Sequence, residues 1–163
     1  MNKQQDKQPS SAEQRLQELG IELPVPPQPF GVYVEAVRSG NLLFLTGMMP
    51  TEGQRAKFLG RVGAELDVTD GYNATRLAAV NALAVVKEHL GSLDRVKRIV
   101  RLGVMIATSG DFRDHPKVAD GASEFLQEVF GAERNPSRLV YGVASLPLGV
   151  PTELELIFEV SED

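Results

Sequence analysis

In Thr152-Glu-Leu-Glu-Leu-Ile-Phe-Glu-Val160, Leu154, Leu156, Phe158 and Val160 alternate with Glu153, Glu155, Ile157 and Glu159. Successive side chains on a strand point to opposite faces, so this period of two puts the apolar residues on one face and the carboxylates on the other. A sheet covered on one side only reads this way, and antiparallel sheets are the ones that tolerate it. Ile157 among the carboxylates means that the second face is not fully polar.

Working back from that strand, Leu146-Pro-Leu-Gly-Val-Pro151 is a short connector, and Leu139–Val143 is the strand before it. Asn135-Pro136 marks a turn. Before the turn, Val118, Ala122, Phe125, Leu126 and Val129 make one helical face, with Pro116 as a good first helical residue and Gly131 closing the helix. Val96–Ala107 is rich in β-branched residues and reads as a strand. Ahead of it, Leu77, Ala78, Leu83, Val86 and Leu90 recur near helical spacing. That predicts a helix of about 20 residues, some 30 Å long, opened by Thr69 or Asp70 and stopped by a left-handed Gly91. Val32–Val37 and Leu42–Thr46, joined by Arg38-Ser-Gly-Asn41, read as a β-hairpin. Residues 51–66 read as a loop, with a short edge strand near Phe58–Val62.

At the N-terminus, Met1–Pro9 is polar and reads as a disordered tail. Ser10 or Ser11 caps a short helix, with Glu13 three residues after Ser10 as a capping box requires, Leu16 and Leu19 on one face, and Gly20 at its end. Pro24-Val-Pro-Pro-Gln-Pro29 cannot be helical and reads as an extended connector. The chain divides into 1–25, tail and short helix, and 26–163, the folded domain. The order β-β-α-β-α-β-β predicts an α+β sandwich with both helices on one face of a mixed, mostly antiparallel sheet. The other sheet face then needs a cover, and a subunit interface would supply it.

The chain has 163 residues, 42% hydrophobic, with a net charge of -5 and a pI near 5.1. One domain of this size buries about two-thirds of its unfolded surface. The absence of Cys excludes disulfides, a thiolate nucleophile and thiolate-held metals. The acidic balance argues against a general nucleic-acid binder. No run approaches a membrane span and no signal peptide opens the chain, so a cytoplasmic location is expected. No metal-ligand cluster or phosphate-binding glycine motif is present. The two histidines, His89 and His115, sit near helix ends and read as structural or solvated rather than catalytic.

The chemistry-bearing stretch is Asn135–Glu155. Arg138 enters a strand after a Pro turn, either as a surface residue with its stem on the core rim or as a fork for a carboxylate ligand. Glu153, on the next strand, is either the cross-strand ion partner of Arg138 or a group that positions and activates water. Tyr33 and Thr46 are ordinary hairpin strand residues, and Gly47 after them is a bulge or turn.

Gly31-Val-Tyr33, Ser39-Gly-Asn41 and Leu45-Thr-Gly-Met-Met-Pro50 resemble the start of the RidA/YjgF family, the imine/enamine deaminases. Pro136-Ser-Arg138, Ala144-Ser-Leu-Pro147 and Glu153-Leu-Glu155 extend the resemblance, which runs from about Pro26 to Val160. It is greatest to a longer branch with an extra N-terminal segment. The resemblance implies a chorismate-mutase-like (YjgF-type) fold in a homotrimer, with ligand clefts between subunits and no metal or cofactor. The implied reaction is hydrolysis of small 2-imino or 2-enamino acids to 2-oxo acids and ammonia. A trimer that binds a small carboxylate without turnover is the alternative, and an endoribonuclease, a label some relatives carry, is the weakest. No nucleic-acid or membrane partner is expected.

Carried onto this chain, Arg138 would pair with the substrate carboxylate and Glu153 would orient the attacking water. Tyr33 and Thr46 would line the pocket, with the Gly47 amide as a donor. Two positions depart from the family pattern. Val140 stands where active deaminases carry a Cys whose backbone meets the substrate. Asp120 stands in place of an Asn, and a carboxylate beside Arg138 would compete with an anionic substrate. Leu139 and Tyr141 are expected to make the pocket wall bulkier.

Overall fold

The computed structural model describes residues 10–162; the stretch 1–9, read above as a disordered tail, lies outside the described residues. The elements run α1 (Ala12–Glu18), β1 (Ala36–Ser39), β2 (Leu42–Leu45), β3 (Thr51–Glu52), β4 (Arg55–Ala56), α2 (Val68–Leu90), β5 (Val96–Ala107), α3 (His115–Phe130), β6 (Ser137–Val143) and β7 (Thr152–Val160). Five strands form one sheet in the order β1-β2-β7-β5-β6. Its pairs are antiparallel except β5 with β6. This is the expected mixed α+β sandwich, with α2 and α3 on one face.

The alternation in β7 does what its pattern requires. Leu154, Leu156, Phe158 and Val160 are fully buried, beside Leu102, Val104 and Ile106 of β5 and Phe125 and Leu126 of α3. Each large side chain so buried contributes about 1.5–3 kcal/mol. α2 packs closely on α3, with Arg76 pairing with Glu128 at 2.8 Å and lying 5.0 Å from the centre of the Phe125 ring. At Gly121 a Cβ would lie 2.9 Å from the Tyr72 carbonyl carbon and 3.2 Å from the Arg76 nitrogen. Only glycine lets the two helices approach there.

Local signals were legible to within a few residues. α2 begins at Val68, slightly earlier than expected. Asp67 is its N-cap, and Asp70 closes a capping box with it rather than opening the helix. Gly91 ends α2 in the left-handed conformation, as predicted. At α1 the cap is Ser11, paired with Gln14 instead of the expected Ser10 and Glu13. Glu13 faces away from the cap, pairing with Lys87 Nζ at 2.7 Å and accepting from Leu93 N at 2.9 Å. Leu16 is buried, but Leu19 is 44% exposed and does not share its face. Ala12 and Leu16 join the main core, so α1 is part of the same packed body.

Three expectations fail because they depended on neighbours that the chain order does not reveal. The first hairpin strand starts at Ala36, not Val32; residues 32–35 run outside the sheet, with Val32, Tyr33 and Val34 exposed. The predicted strand near Phe58–Val62 is absent. In its place Thr51–Glu52 pairs with Arg55–Ala56, and Val62 makes only isolated bridges to Leu66 and Thr108. Finally, β6 and β7 are not paired, because β5 lies between them.

Candidate functional site

The residues expected to share one site fall into two groups on opposite faces of the sheet. Glu153 alternates with the buried Leu154 and therefore lies on the face away from the helices, opposite Met105 in the ladder. Arg138 faces the helices, since its guanidinium reaches α3. The expected Arg138–Glu153 ion pair is thus excluded within one chain. The cause is the strand order, which inserts β5 between them.

The first group is built by a bulge. Phe44 stands opposite Ile157, and Met48 opposite Leu154, so four steps on one strand are matched by three on the other. The extra residue lies in the Leu45–Gly47 stretch, and bulges of this kind re-aim side chains at sheet edges. Beyond it the strand is tied back by Met48 N donating to Leu154 O at 2.9 Å and Leu154 N to Met48 O at 2.8 Å. A Cβ on Gly47 would lie 2.9 Å from Glu153 Cδ and overlap its Oε1. Glycine is required here because the carboxylate rests directly on the backbone.

Glu153, Gly47, Thr46 and Tyr33 line one cavity of about 400 Å³ with Phe30, Met49, Pro147 and Leu148. Burial holds the Glu153 carboxyl above the usual carboxylate range. Among the described residues it makes no hydrogen bond or ion pair. A partly desolvated, unpartnered carboxylate in a cavity is the pattern of a working acid or base more than of a structural ion. The Tyr33 hydroxyl accepts from Phe30 N at 2.9 Å, which closes the 30–33 turn over the cavity. From below, Asn81 of α2 is 2% exposed, and its Nδ2 donates to Met49 O (3.0 Å) and Thr51 O (2.9 Å). Sequence reasoning missed Asn81; a polar residue in an otherwise apolar helix was the available signal.

Leu148 was also missed, and no pattern in the sequence marks it. It has φ +59°, the one non-glycine residue with positive φ among those described. Such a backbone costs a branched side chain about 1–2 kcal/mol.

The second group lies on edge strand β6 and α3. Arg138 Nη1 donates to Asp120 Oδ1 at 2.7 Å and to Ser123 Oγ at 3.0 Å. Among the described residues its hydrogen bonds leave from Nη1 alone, so Nε and Nη2 remain as a fork. The side chain keeps 28% of its exposure. Val140, two residues on, shares this face and packs against the core. Leu139 and Tyr141 point to the opposite face, 48% and 45% exposed. They do not thicken the wall beside Arg138, contrary to expectation, because the pleat sends them away from it. His115 packs edge-on against Phe112, with ring centroids 5.0 Å apart. His89 Nδ1 lies 3.3 Å from Val85 O. Neither histidine lines the Glu153 cavity. Among the described residues no three His, Asp or Glu side chains converge as a metal site would require, and no helix is long and apolar enough to cross a membrane.

The profile of the YjgF/chorismate mutase-like family, whose description also carries an endoribonuclease label, matches residues 13–161. The chain belongs to the YjgF/RidA family. The Trypanosoma cruzi protein TCP17 is 39% identical over 147 residues, covering 90% of this chain and 92% of TCP17. A Dermatophagoides farinae protein named 2-iminobutanoate/2-iminopropanoate deaminase is 30% identical, covering 84% of this chain and 92% of its own. Among solved structures, Atu1372 from Agrobacterium tumefaciens, of unknown function, superposes with a TM-score of 0.84 at 36% identity and 92% coverage of both chains. E. coli TdcF with bound serine gives a TM-score of 0.59 at 28% identity, over 84% of this chain and 94% of TdcF. The YjgF-type fold of this family member is thereby established.

Proposed function

We propose that this protein hydrolyses small 2-imino or 2-enamino acids at clefts where the Arg138 end of one copy meets the Glu153 cavity of another. The observation that carries this reading is Glu153 itself, raised by burial and unpartnered in a cavity beside a backbone bulge. A group of this kind takes a proton from water as it adds to the C=N carbon and returns one to nitrogen as the C–N bond breaks. Water and the imino acid go in; the 2-oxo acid and ammonia come out. Arg138 offers its Nε/Nη2 edge to the substrate carboxylate, a match that a Lys point charge lacks. Tyr33 and Thr46 hold the substrate or its water.

Two halves on opposite sheet faces make no site in a single chain, which supports assembly. So does the uncovered sheet face, where Val37, Phe44, Leu139 and Tyr141 are exposed. Large apolar side chains left exposed together on one sheet face are the pattern of an interface. A homotrimer with the sheets facing inward covers it, and the names of the deaminase relative and of serine-bound TdcF agree with a small amino-acid-derived ligand.

A second reading, carboxylate binding without turnover, draws on the Asp120 carboxylate already paired with Arg138. The endoribonuclease label finds little support in a chain of net charge -5, which lacks the basic footprint that phosphates require. The deciding assay supplies 2-aminoacrylate from an amino-acid dehydratase and traps residual imine as its semicarbazone. The wild-type protein lowers the trapped product, and Arg138→Ala restores it. Equal trapping by both proteins, with 2-oxo acids still bound in calorimetry, selects the binding reading.

A further inference from the structure

Leu148 sits where a leucine is poorly suited. Its backbone is left-handed, at φ 59° and ψ 7°, a conformation that glycine and asparagine adopt far more readily. The loop holds it there. Gly149 N donates to Leu146 O at 3.2 Å, Val150 N to Pro147 O at 3.3 Å, and Gly60 N to Gly149 O at 2.9 Å. Within one chain the side chain gains little from packing, because it remains 49% exposed. Strain kept by the surrounding structure, at a side chain that does not serve the core, is a sign of function.

What Leu148 does is line the Glu153 cavity. Together with Phe30, Met49 and Pro147 it gives that cavity an apolar wall facing a single carboxylate. The cavity's 400 Å³ falls within the range of sites that hold drug-sized ligands, about 300–1,000 Å³. A three-carbon imino acid would leave the wall largely untouched and the apolar surface wet.

We propose that Leu148, with Phe30 and Met49, is a specificity wall that selects imino acids bearing a branched aliphatic or aromatic side chain over alanine-sized ones. This rests on the deaminase reading above and names its substrate class. The carboxylate of such a substrate lies on Arg138 of the neighbouring copy, its C=N carbon at Glu153, and its side chain against Leu148.

The test generates imines in place with an L-amino-acid oxidase and oxygen, from leucine, phenylalanine and alanine, and follows loss of the trapped semicarbazone. The wild-type protein is expected to favour the leucine- and phenylalanine-derived imines in kcat/KM by about tenfold or more, the scale set by a few methylenes in an apolar pocket. Leu148→Gly and Leu148→Asn both tolerate the left-handed backbone. Both should bring that ratio close to one, and Leu148→Gly should raise Tm as the strain is released. A wild-type preference for the alanine-derived imine, or a ratio unchanged in both variants, overturns the proposal. Failure of the deaminase reading has a different signature, with no imine consumed by the wild-type protein. Calorimetry with 4-methyl-2-oxopentanoate and pyruvate then reads the same wall. Tighter binding of the branched acid that Leu148→Gly abolishes supports the wall, and equal affinities refute it.

Discussion

Replacing Asp120 by Asn removes one negative charge 2.7 Å from Arg138 Nη1 while leaving an oxygen to accept the same hydrogen bond. A ligand carboxylate on the Nε/Nη2 edge would lie about 6 Å from Asp120. At effective dielectrics of about 40–80, suited to groups this exposed, its repulsion from Asp120 is about 0.7–1.4 kcal/mol. Removing that repulsion should tighten binding of pyruvate or 2-oxobutanoate by about three- to tenfold. Titration calorimetry on the assembled protein reads this directly. The gain should shrink as salt rises, because screening acts within about 10 Å at 0.1 M. Asp120→Ala provides the contrast. It removes the charge and the anchor together, so the freed guanidinium loses orientation and the gain is smaller. If Asp120→Asn leaves affinity unchanged at low salt, or weakens it, Arg138 is not the ligand's anion partner. Asp120 would then belong to a purely structural pair.

Glu153→Gln should abolish imine hydrolysis by about 100-fold or more while leaving the fold intact. It should also change the dependence of stability on pH. Glu153 is held above the usual carboxylate range by burial, so the native state takes up its proton more readily than the unfolded chain. The wild-type protein therefore loses stability as pH rises from the ordinary carboxylate range through the raised value. Glu153→Gln removes that loss, giving the higher Tm at neutral pH and no advantage near pH 3; an advantage independent of pH would refute the burial argument. Asn81→Leu strands the carbonyl of Thr51 and leaves that of Met49 with the Thr51 N–H alone, at about 1–3 kcal/mol. A drop in urea stability should be accompanied by a raised KM, since Met49 lines the cavity. Ile157→Lys places a charge on the uncovered sheet face opposite Phe44, and light scattering should show monomers or aggregates; an unaltered oligomer would clear this face of any role in assembly.

Local chemistry was legible without coordinates wherever one residue and its near neighbours decide the outcome. Gly91 stops α2 because a left-handed residue is needed there, and the alternation in β7 assigns its two faces residue by residue. Even so, Ser11 rather than Ser10 caps α1, because Glu13 is drawn to Lys87 and Leu93, some eighty positions away. Val32–Val34 has strand-forming residues but no strand to pair with in this chain.

The amino-acid order by itself determined most of the elements and their apolar faces, since both follow from spacing along one chain, and its motifs carried the resemblance to the family. Which strands become neighbours was decided only in three dimensions, by how β5 inserts between β6 and β7. That choice sends Arg138 and Glu153 to opposite faces, seats Glu153 on Gly47 across a bulge, and holds Leu148 in a strained turn beside it. The physical reason is that pairing and burial act between residues distant in the chain, where sequence spacing carries no record of who meets whom.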